Sequence, residues 1–174
     1  MPIANCFLAE FEMQAPITRK YLERVPADKL TWKPHHKSLT AGQLALHIAS
    51  GPSGILRLVM SNPQTTEGRF LFPDPADHAF ILHTFDNSVA FVKEHLAKFS
   101  DAEMNESWRL MLGDRVVVEM PRADFLRNIM FSHLYQHRGQ LSVYLRILDV
   151  PVPASWGPSA DEMPSFAPPE TVTA

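Results

Sequence analysis

The sequence ADFLRNIMFSHLYQHRGQLSVYLRIL, residues 123–148, decides the fold. Apolar and histidine side chains recur in it every three or four residues, as they do along one face of an α-helix. That face consists of Leu126, Met130, His133, His137, Leu141, Tyr144 and Leu148. The stretch begins after Pro121 and predicts one long helix, with His133 and His137 in the middle of its core-facing side.

Three further segments have the same helical periodicity. They cover about residues 4–24, 40–60 and 75–99. The second begins with Thr40-Ala-Gly-Gln43, the pattern of a capping box, and Phe80 and Phe85 are predicted core residues of the third. Residues 63–75 are predicted to be a loop. Residues 107–120 contain three consecutive valines after a turn-like Gly-Asp, which predicts a short β-hairpin between helices 3 and 4. The expected fold is therefore an all-α four-helix bundle with at most this hairpin.

Composition and charge exclude several classes of protein. The net charge is −3 and no run of Lys or Arg is longer than two, which argues against nucleic-acid binding through a basic face. The start of the chain lacks a basic segment of the secretory type, and no uncharged apolar run is long enough to span a membrane. A single cysteine, Cys6, fits a reducing compartment. These features predict a cytoplasmic protein without nucleic-acid or membrane partners.

The length and the apolar fraction of 45% suit one domain. We assign that domain to residues 1–162. The end of the chain is rich in proline, so residues 163–174 are predicted to form a disordered tail.

Three of the eight histidines form a candidate metal site. His133 and His137 are four residues apart, so both side chains leave the predicted helix on one side and can bind one ion. The alternative is two core histidines satisfied by hydrogen bonds, and the His-x-x-x-His spacing alone favours that alternative. His47 lies on the apolar side of the second helix and completes a three-imidazole set if the two helices pack together. The polar connector containing His35 and His36, by contrast, predicts solvent exposure.

These residues carry a resemblance to a known family. The segments His133-Leu-Tyr-Gln-His137-Arg-Gly-Gln and Thr40-Ala-Gly-Gln-Leu-Ala-Leu-His47, together with the lead-in from Leu22 to Pro34, resemble the DinB (damage-inducible) family. The resemblance extends over about residues 5–162. It implies a four-helix bundle, usually dimeric, with one divalent metal ion held by three histidines, which match His47, His133 and His137 here. The family includes thiol-linked transferases and an isomerase, so the resemblance does not supply a substrate.

The resemblance and the ligand set together predict the chemistry. Three neutral imidazoles leave coordination positions open, and open sites are usually catalytic. Zn²⁺ and Ni²⁺ both suit imidazole. We therefore expect a metal-dependent hydrolase or a thiol-dependent S-transferase acting on a small molecule, the latter with a low-molecular-weight thiol as cosubstrate. The alternative is a non-catalytic metal-binding or stress-response protein. A cavity beside the ion would favour the enzyme, and a fourth protein ligand would favour the alternative.

No catalytic residue follows from the sequence. Four side chains on the first and last helices are candidates for a general base: Glu10, Gln14, Gln136 and Gln140. Asp161 and Glu162 either fold over the end of the bundle or lie in a solvated turn. Arg138 is expected to point away from the histidine face and to form a structural ion pair, and Cys6 is expected in the core or at an interface.

Overall fold

The computed structural model of the chain describes residues 1–68 and 71–164. Its helices are α1 (Ile3–Glu23), α2 (Ala41–Val59), α3 (His78–His95), α4 (Asp101–Asn105), α5 (Arg122–Phe125) and α6 (His133–Ile147). Its strands are β1 (Gln64–Thr65), β2 (Ser107–Leu112) and β3 (Arg115–Pro121). A π-helical segment, Leu126–Ser132, connects α5 directly to α6. The protein is therefore mostly helical with a small three-stranded sheet, which adds one strand to the predicted hairpin.

The start of α2 follows directly from its sequence. The hydroxyl of Thr40 accepts a hydrogen bond from the Gln43 amide at 3.1 Å, and the Gln43 side chain accepts one from the Thr40 amide at 3.0 Å. This confirms the predicted capping box. A Cβ atom at Gly42 would lie 2.9 Å from the carbonyl oxygen of Leu30. Glycine therefore lets the connector pack against the first turn of α2, the helix that carries His47.

The core lies between the long helices. α2 packs most extensively against α3 and also contacts α6, while α1 contacts both α3 and α6. On α3 the buried positions are Ile81, Phe85, Ser88 and Val92. The prediction that Phe80 belongs to the core is wrong, because its side chain is 46% exposed. The buried line on α3 passes through the next residue, Ile81, which is turned about 100° from Phe80 around the helix axis.

The sheet combines a predicted hairpin with a strand that was not predicted. β2 and β3 pair antiparallel around Gly113, whose φ of 57° suits glycine. β1 pairs in parallel with β2, which corrects the prediction that residues 63–75 form only a loop. Trp108 on β2 is fully buried, and its ring N–H donates to the carbonyl of Ser61 at 2.8 Å. The sheet is thus fixed to the end of α2.

The last long helix is not a uniform α-helix. In the π segment the amide of His133 donates to the carbonyl of Asn128, five residues earlier, rather than to the residue four earlier. The hydroxyl of Ser132 likewise donates to the carbonyl of Arg127 at 3.2 Å. Regular α-helix resumes at His133, so the wider turn ends where the histidine pair begins.

The chain after α6 follows the surface of α1 and α6. Asp161 accepts hydrogen bonds from Arg146 at 2.5 Å and from the Val152 amide at 2.9 Å, and Glu162 pairs with Lys20 at 3.1 Å. Asp161 and Glu162 therefore hold this segment to the two helices by ion pairs, and neither contacts the three histidines. Most of the predicted disordered tail, residues 165–174, lies outside the described residues.

Candidate metal centre

The three predicted histidines come together between α2 and α6. The Nε2 atom of His133 lies 3.5 Å from Nε2 of His47 and 2.7 Å from Nε2 of His137. One ring nitrogen from each residue lies within 4.8 Å of the other two. The structure therefore brings all three into one cluster that could hold a metal ion.

Each histidine is placed by a short-range feature of its helix. His133 and His137 are separated by one turn at the start of α6, immediately after the π segment. His47 lies two turns after the Thr40 cap of α2. All three side chains are half-buried. His133 and His137 were predicted as buried positions on the core-facing side of their helix, whereas both are half-buried and lie at the edge of the core.

The outer ring nitrogen of His137 has a partner of its own. Nδ1 of His137 lies 2.6 Å from Oε1 of Gln140, an oxygen that can only accept, so this nitrogen carries the proton. This contact leaves the Nε2 lone pair of His137 directed into the cluster, which is the arrangement found around metal-bound histidines.

The cluster favours neutral imidazoles. Burial, followed by the proximity of His137 and His133, lowers the pKa of His47 to about 4. Burial, followed by the charge of His137, also lowers the pKa of His133, although a hydrogen bond with the backbone of Ile129 opposes this. Histidine ligates metals in its neutral form, so these shifts keep the side chains ready for an ion near neutral pH.

The spacing also fits a cation. When both rings carry their protons on Nδ1, the Nε2 lone pairs that face each other at 2.7 Å repel unless a positive charge lies between them. Tetrahedral coordination at about 2.0–2.1 Å would separate such nitrogens by roughly 3.3 Å. The observed separations of 2.7 and 3.5 Å lie on either side of that value. The residues present therefore fit a divalent ion bound by three imidazoles.

Two spaces adjoin the cluster. The inner one measures about 10 Å³, lies between the histidines and apolar core side chains such as Ile55 and Met130, and has room for about one water molecule. The outer one is an open groove of about 240 Å³ between α2 and α3, and His47 is part of its wall. The ring of Phe72 meets His47 edge-on, with centroids 5.1 Å apart. The groove therefore gives a small molecule access to His47.

The ligand set within residues 1–68 and 71–164 consists of the three histidines alone, and no carboxylate or cysteine joins them. Of the candidates for a general base, Glu10 pairs with Arg127 at 2.6 Å, and Gln14 accepts from Arg138 at 2.8 Å. Gln136 is exposed. Gln140 is the one that contacts a histidine of the cluster, and it does so on the outer nitrogen.

The expected role of Arg138 is wrong. Its side chain is 8% exposed, and its guanidinium donates to Gln14 and, at 3.3 Å, to the hydroxyl of Thr18. These partners are neutral, so Arg138 is not part of an ion pair, and burial lowers its pKa. Cys6 is exposed, which excludes the predicted core position. His35 and His36 are exposed, as predicted.

The aromatic contact at His47 was not found from the sequence. Phe72 lies in a segment predicted to be a loop, so no periodicity connects it to α2. Sequence spacing could have placed the polar groove residues Gln43 and Ser50 beside the site, because positions −4 and +3 from His47 share its side of a helix.

The fold and the site together define a mostly helical protein with a three-histidine candidate metal centre. The chain belongs to the DinB family, whose model matches residues 1–167. It is 25% identical over 163 residues to the uncharacterized protein YrdA of Bacillus subtilis, covering 92% of each chain.

Two solved structures share the fold. A DinB-like protein from Bacillus cereus superposes with a TM-score of 0.68 at 22% identity, covering 86% of this chain and 95% of the other. The DinB-like protein YjoA from Bacillus subtilis gives 0.61 at 17% identity, covering 82% and 90%. At this identity the likeness concerns the fold alone. Among the described residues, no helix combines the length and apolar character needed to cross a membrane.

Proposed function

We propose that His47, His133 and His137 bind one divalent metal ion, Zn²⁺ or Ni²⁺, within a four-helix bundle. The observation that carries this proposal is the convergence of three Nε2 atoms, together with the hydrogen bond that holds the outer nitrogen of His137 on Gln140. A cation interacts favourably with neutral imidazoles at this spacing. The ligands carry no charge of their own, so no desolvation of a ligand charge opposes binding.

We expect His137→Ala to abolish stoichiometric metal binding while the protein stays folded. Removing one of three ligands costs most of the affinity, and the extensive core around α2 does not depend on an ion. Elemental analysis of dialysed protein gives the stoichiometry, and circular dichroism reports the fold. His83→Ala, an exposed histidine on α3, is the matched control and should bind one ion per chain. Full occupancy in His137→Ala would remove this residue from the site.

The proposed activity is that of a metal-dependent enzyme acting on a small molecule, either a hydrolase or a thiol-dependent transferase. Two observations support an enzyme over a storage protein: the described part of the chain offers no fourth protein ligand, and a groove reaches His47 from outside. When bound, the ion would act as a Lewis acid in this groove. The chain's own contribution is to hold three imidazoles, exclude bulk water on the core side and orient the reactant from the groove side.

A screen of ester, amide and thiol-conjugation substrates tests the activity. Any turnover should disappear on chelation, return when Zn²⁺ or Ni²⁺ is added, and be absent from the triple alanine variant of the three histidines. Turnover that persists in the triple variant would show that the cluster is not the catalyst. One bound ion per chain without turnover of any substrate would favour the alternative, a non-catalytic metal-binding protein.

We also propose that the protein is a homodimer. The support is an exposed apolar strip on α6, where Val143 is 55% and Ile147 is 54% exposed, one turn apart. Gly139 lies one turn before Val143, and an added Cβ there would meet nothing within 4 Å. A second copy of this helix could therefore approach closely along the strip.

A further inference from the structure

The groove beside His47 has an aromatic wall. Phe72 and Phe80 both line it and are 38% and 46% exposed, although large aromatic side chains are usually buried. Leu46 extends this apolar surface toward the histidine cluster. Single exposed apolar residues need no explanation, whereas several that line one groove at a candidate metal centre mark a ligand-binding surface.

The polar groups of the groove are neutral. The side-chain oxygen of Gln43 is engaged by the Thr40 amide, which leaves its NH₂ group as a donor. The hydroxyl of Ser50 donates to the carbonyl of Leu46 at 2.9 Å, which leaves its oxygen as an acceptor. Thr84 adds a hydroxyl from α3. Apart from the His47 imidazole, the lining contributed by the described residues contains no ionisable side chain. An anionic ligand would lose hydration here without gaining a counter-charge from that lining.

We propose that this groove receives the aromatic ring of an uncharged small molecule, with the polar end of the molecule directed at the three histidines. The proposal rests on the proposed metal centre and specifies its substrate class. The volume of about 240 Å³ is sufficient, since an enclosed cavity of about 150 Å³ already accommodates benzene. The ring packs against Phe72 and Phe80, and the neutral polar groups satisfy one hydrogen-bonding substituent.

Three hydroxamic acids that bind metal ions through the same group test this assignment. They are acetohydroxamic acid, phenylacetohydroxamic acid and (4-carboxyphenyl)acetohydroxamic acid. Calorimetric titration of the Zn²⁺-loaded full chain should show that the phenyl ring tightens binding at least about tenfold, because it buries apolar surface in the groove. The added carboxylate should remove most of that gain.

Variants test whether the two phenylalanines cause the tighter binding of the phenyl probe. Phe72→Ala and Phe80→Ala should each reduce the gain from the phenyl ring several-fold, measured as the ratio of the dissociation constants of acetohydroxamic and phenylacetohydroxamic acid in the same variant. Val116→Ala, at an exposed apolar residue on β3, is the control and should behave as wild type. Equal binding of the first two probes, or tighter binding of the carboxylate, would overturn the proposal and in the second case favour an anionic ligand as occupant. Metal content is measured first. Wild-type protein without bound Zn²⁺ would show that the proposed metal centre has failed, which is a different result from failure of the aromatic groove.

Discussion

At the residue scale, Gln140 has the most specific contact with the candidate metal centre. Its side-chain oxygen holds Nδ1 of His137 at 2.6 Å and so directs Nε2 toward the other two histidines. Hydrogen bonds of this kind fix the ring orientation and raise the basicity of the ligating nitrogen. Gln140 is therefore a positioning residue rather than a ligand.

We expect Gln140→Ala to weaken metal binding by about 10–100-fold without abolishing it, the range typical of such outer partners. Competition with a chromogenic chelator measures the affinity. Gln136→Ala, which removes an exposed glutamine one turn earlier on α6, should leave it unchanged. An affinity in Gln140→Ala equal to that of wild type would show that the contact does not act on the ion.

Single residues also show how far the sequence predicts the site. The three histidines were identified because a spacing of four residues on a helix determines which side chains share a side. The partners of Arg138 were predicted wrongly because a charged side chain suggests an opposite charge beside it, yet Arg138 lies in the buried line Leu134, Arg138, Leu141 and Leu145. Its partners Gln14 and Thr18 come from α1, more than a hundred residues away. The sequence alone does not show that these neutral side chains contact Arg138, because the contact forms only in the tertiary structure.

At the element scale, α1 is attached to the π segment by one ion pair. Two nitrogens of Arg127 donate to the two carboxylate oxygens of Glu10 at 2.8 and 2.6 Å, and the hydroxyl of Tyr135 donates to the same carboxylate at 2.6 Å. The hydrogen bond from Arg127 is the largest cause of the lowered pKa of Glu10, with Tyr135 adding to it and burial opposing it. The charged carboxylate therefore stabilises the folded chain.

This pair predicts a pH dependence of stability. The pKa of Glu10 is lower in the folded chain than the ordinary 4.5, so the unfolded chain takes up a proton first as the pH falls. The stabilisation is complete above pH 4.5 and is lost as the pH falls through the folded-state pKa. We expect Glu10→Gln to lower the free energy of unfolding by about 1 kcal/mol at pH 7 and to make its decline below pH 4.5 shallower.

Urea unfolding from pH 3 to pH 7 measures both effects. Glu94→Gln is the control at pH 7, because Glu94 forms a surface pair with Lys98 and should change the free energy of unfolding by less than about 0.5 kcal/mol. Parallel curves for wild type and Glu10→Gln across the acidic range would show that Glu10 does not titrate differently in the folded chain.

Elements differed in how well the sequence predicted them. The start of α2 and the β2–β3 hairpin follow from local rules, a capping box and a Gly-Asp turn, and both were predicted. β1 is two residues long and exists through its pairing with Leu110 and Met111, so nothing within it signals a strand. The π segment has the same apolar spacing as an α-helix to within one residue, which hides it from periodicity.

At the scale of the whole molecule, the exposed strip on α6 leads to a prediction about assembly. We expect the solution mass to be twice the 19.6 kDa of the chain at micromolar concentration. The double substitution Val143→Glu and Ile147→Glu should give a monomer, because facing carboxylates in an apolar contact are costly. Light scattering coupled to size exclusion measures the mass.

The matched control for assembly is Val116→Glu on β3, which is 41% exposed and lies outside the strip. It should remain dimeric. A monomeric wild type would refute the dimer, and a dimer that survives the double substitution would place the interface on another surface.

The histidine cluster joins distant parts of one chain, since His47 and His133 are 86 positions apart. An ion shared by them would close a loop of that length, a cross-link that a chain with a single cysteine cannot form within itself by a disulfide. Loop closure restricts the unfolded ensemble, and its entropic effect grows with the length enclosed. The proposed centre would then also be a reversible cross-link between α2 and α6, which acid or a chelator would break and a reductant would not.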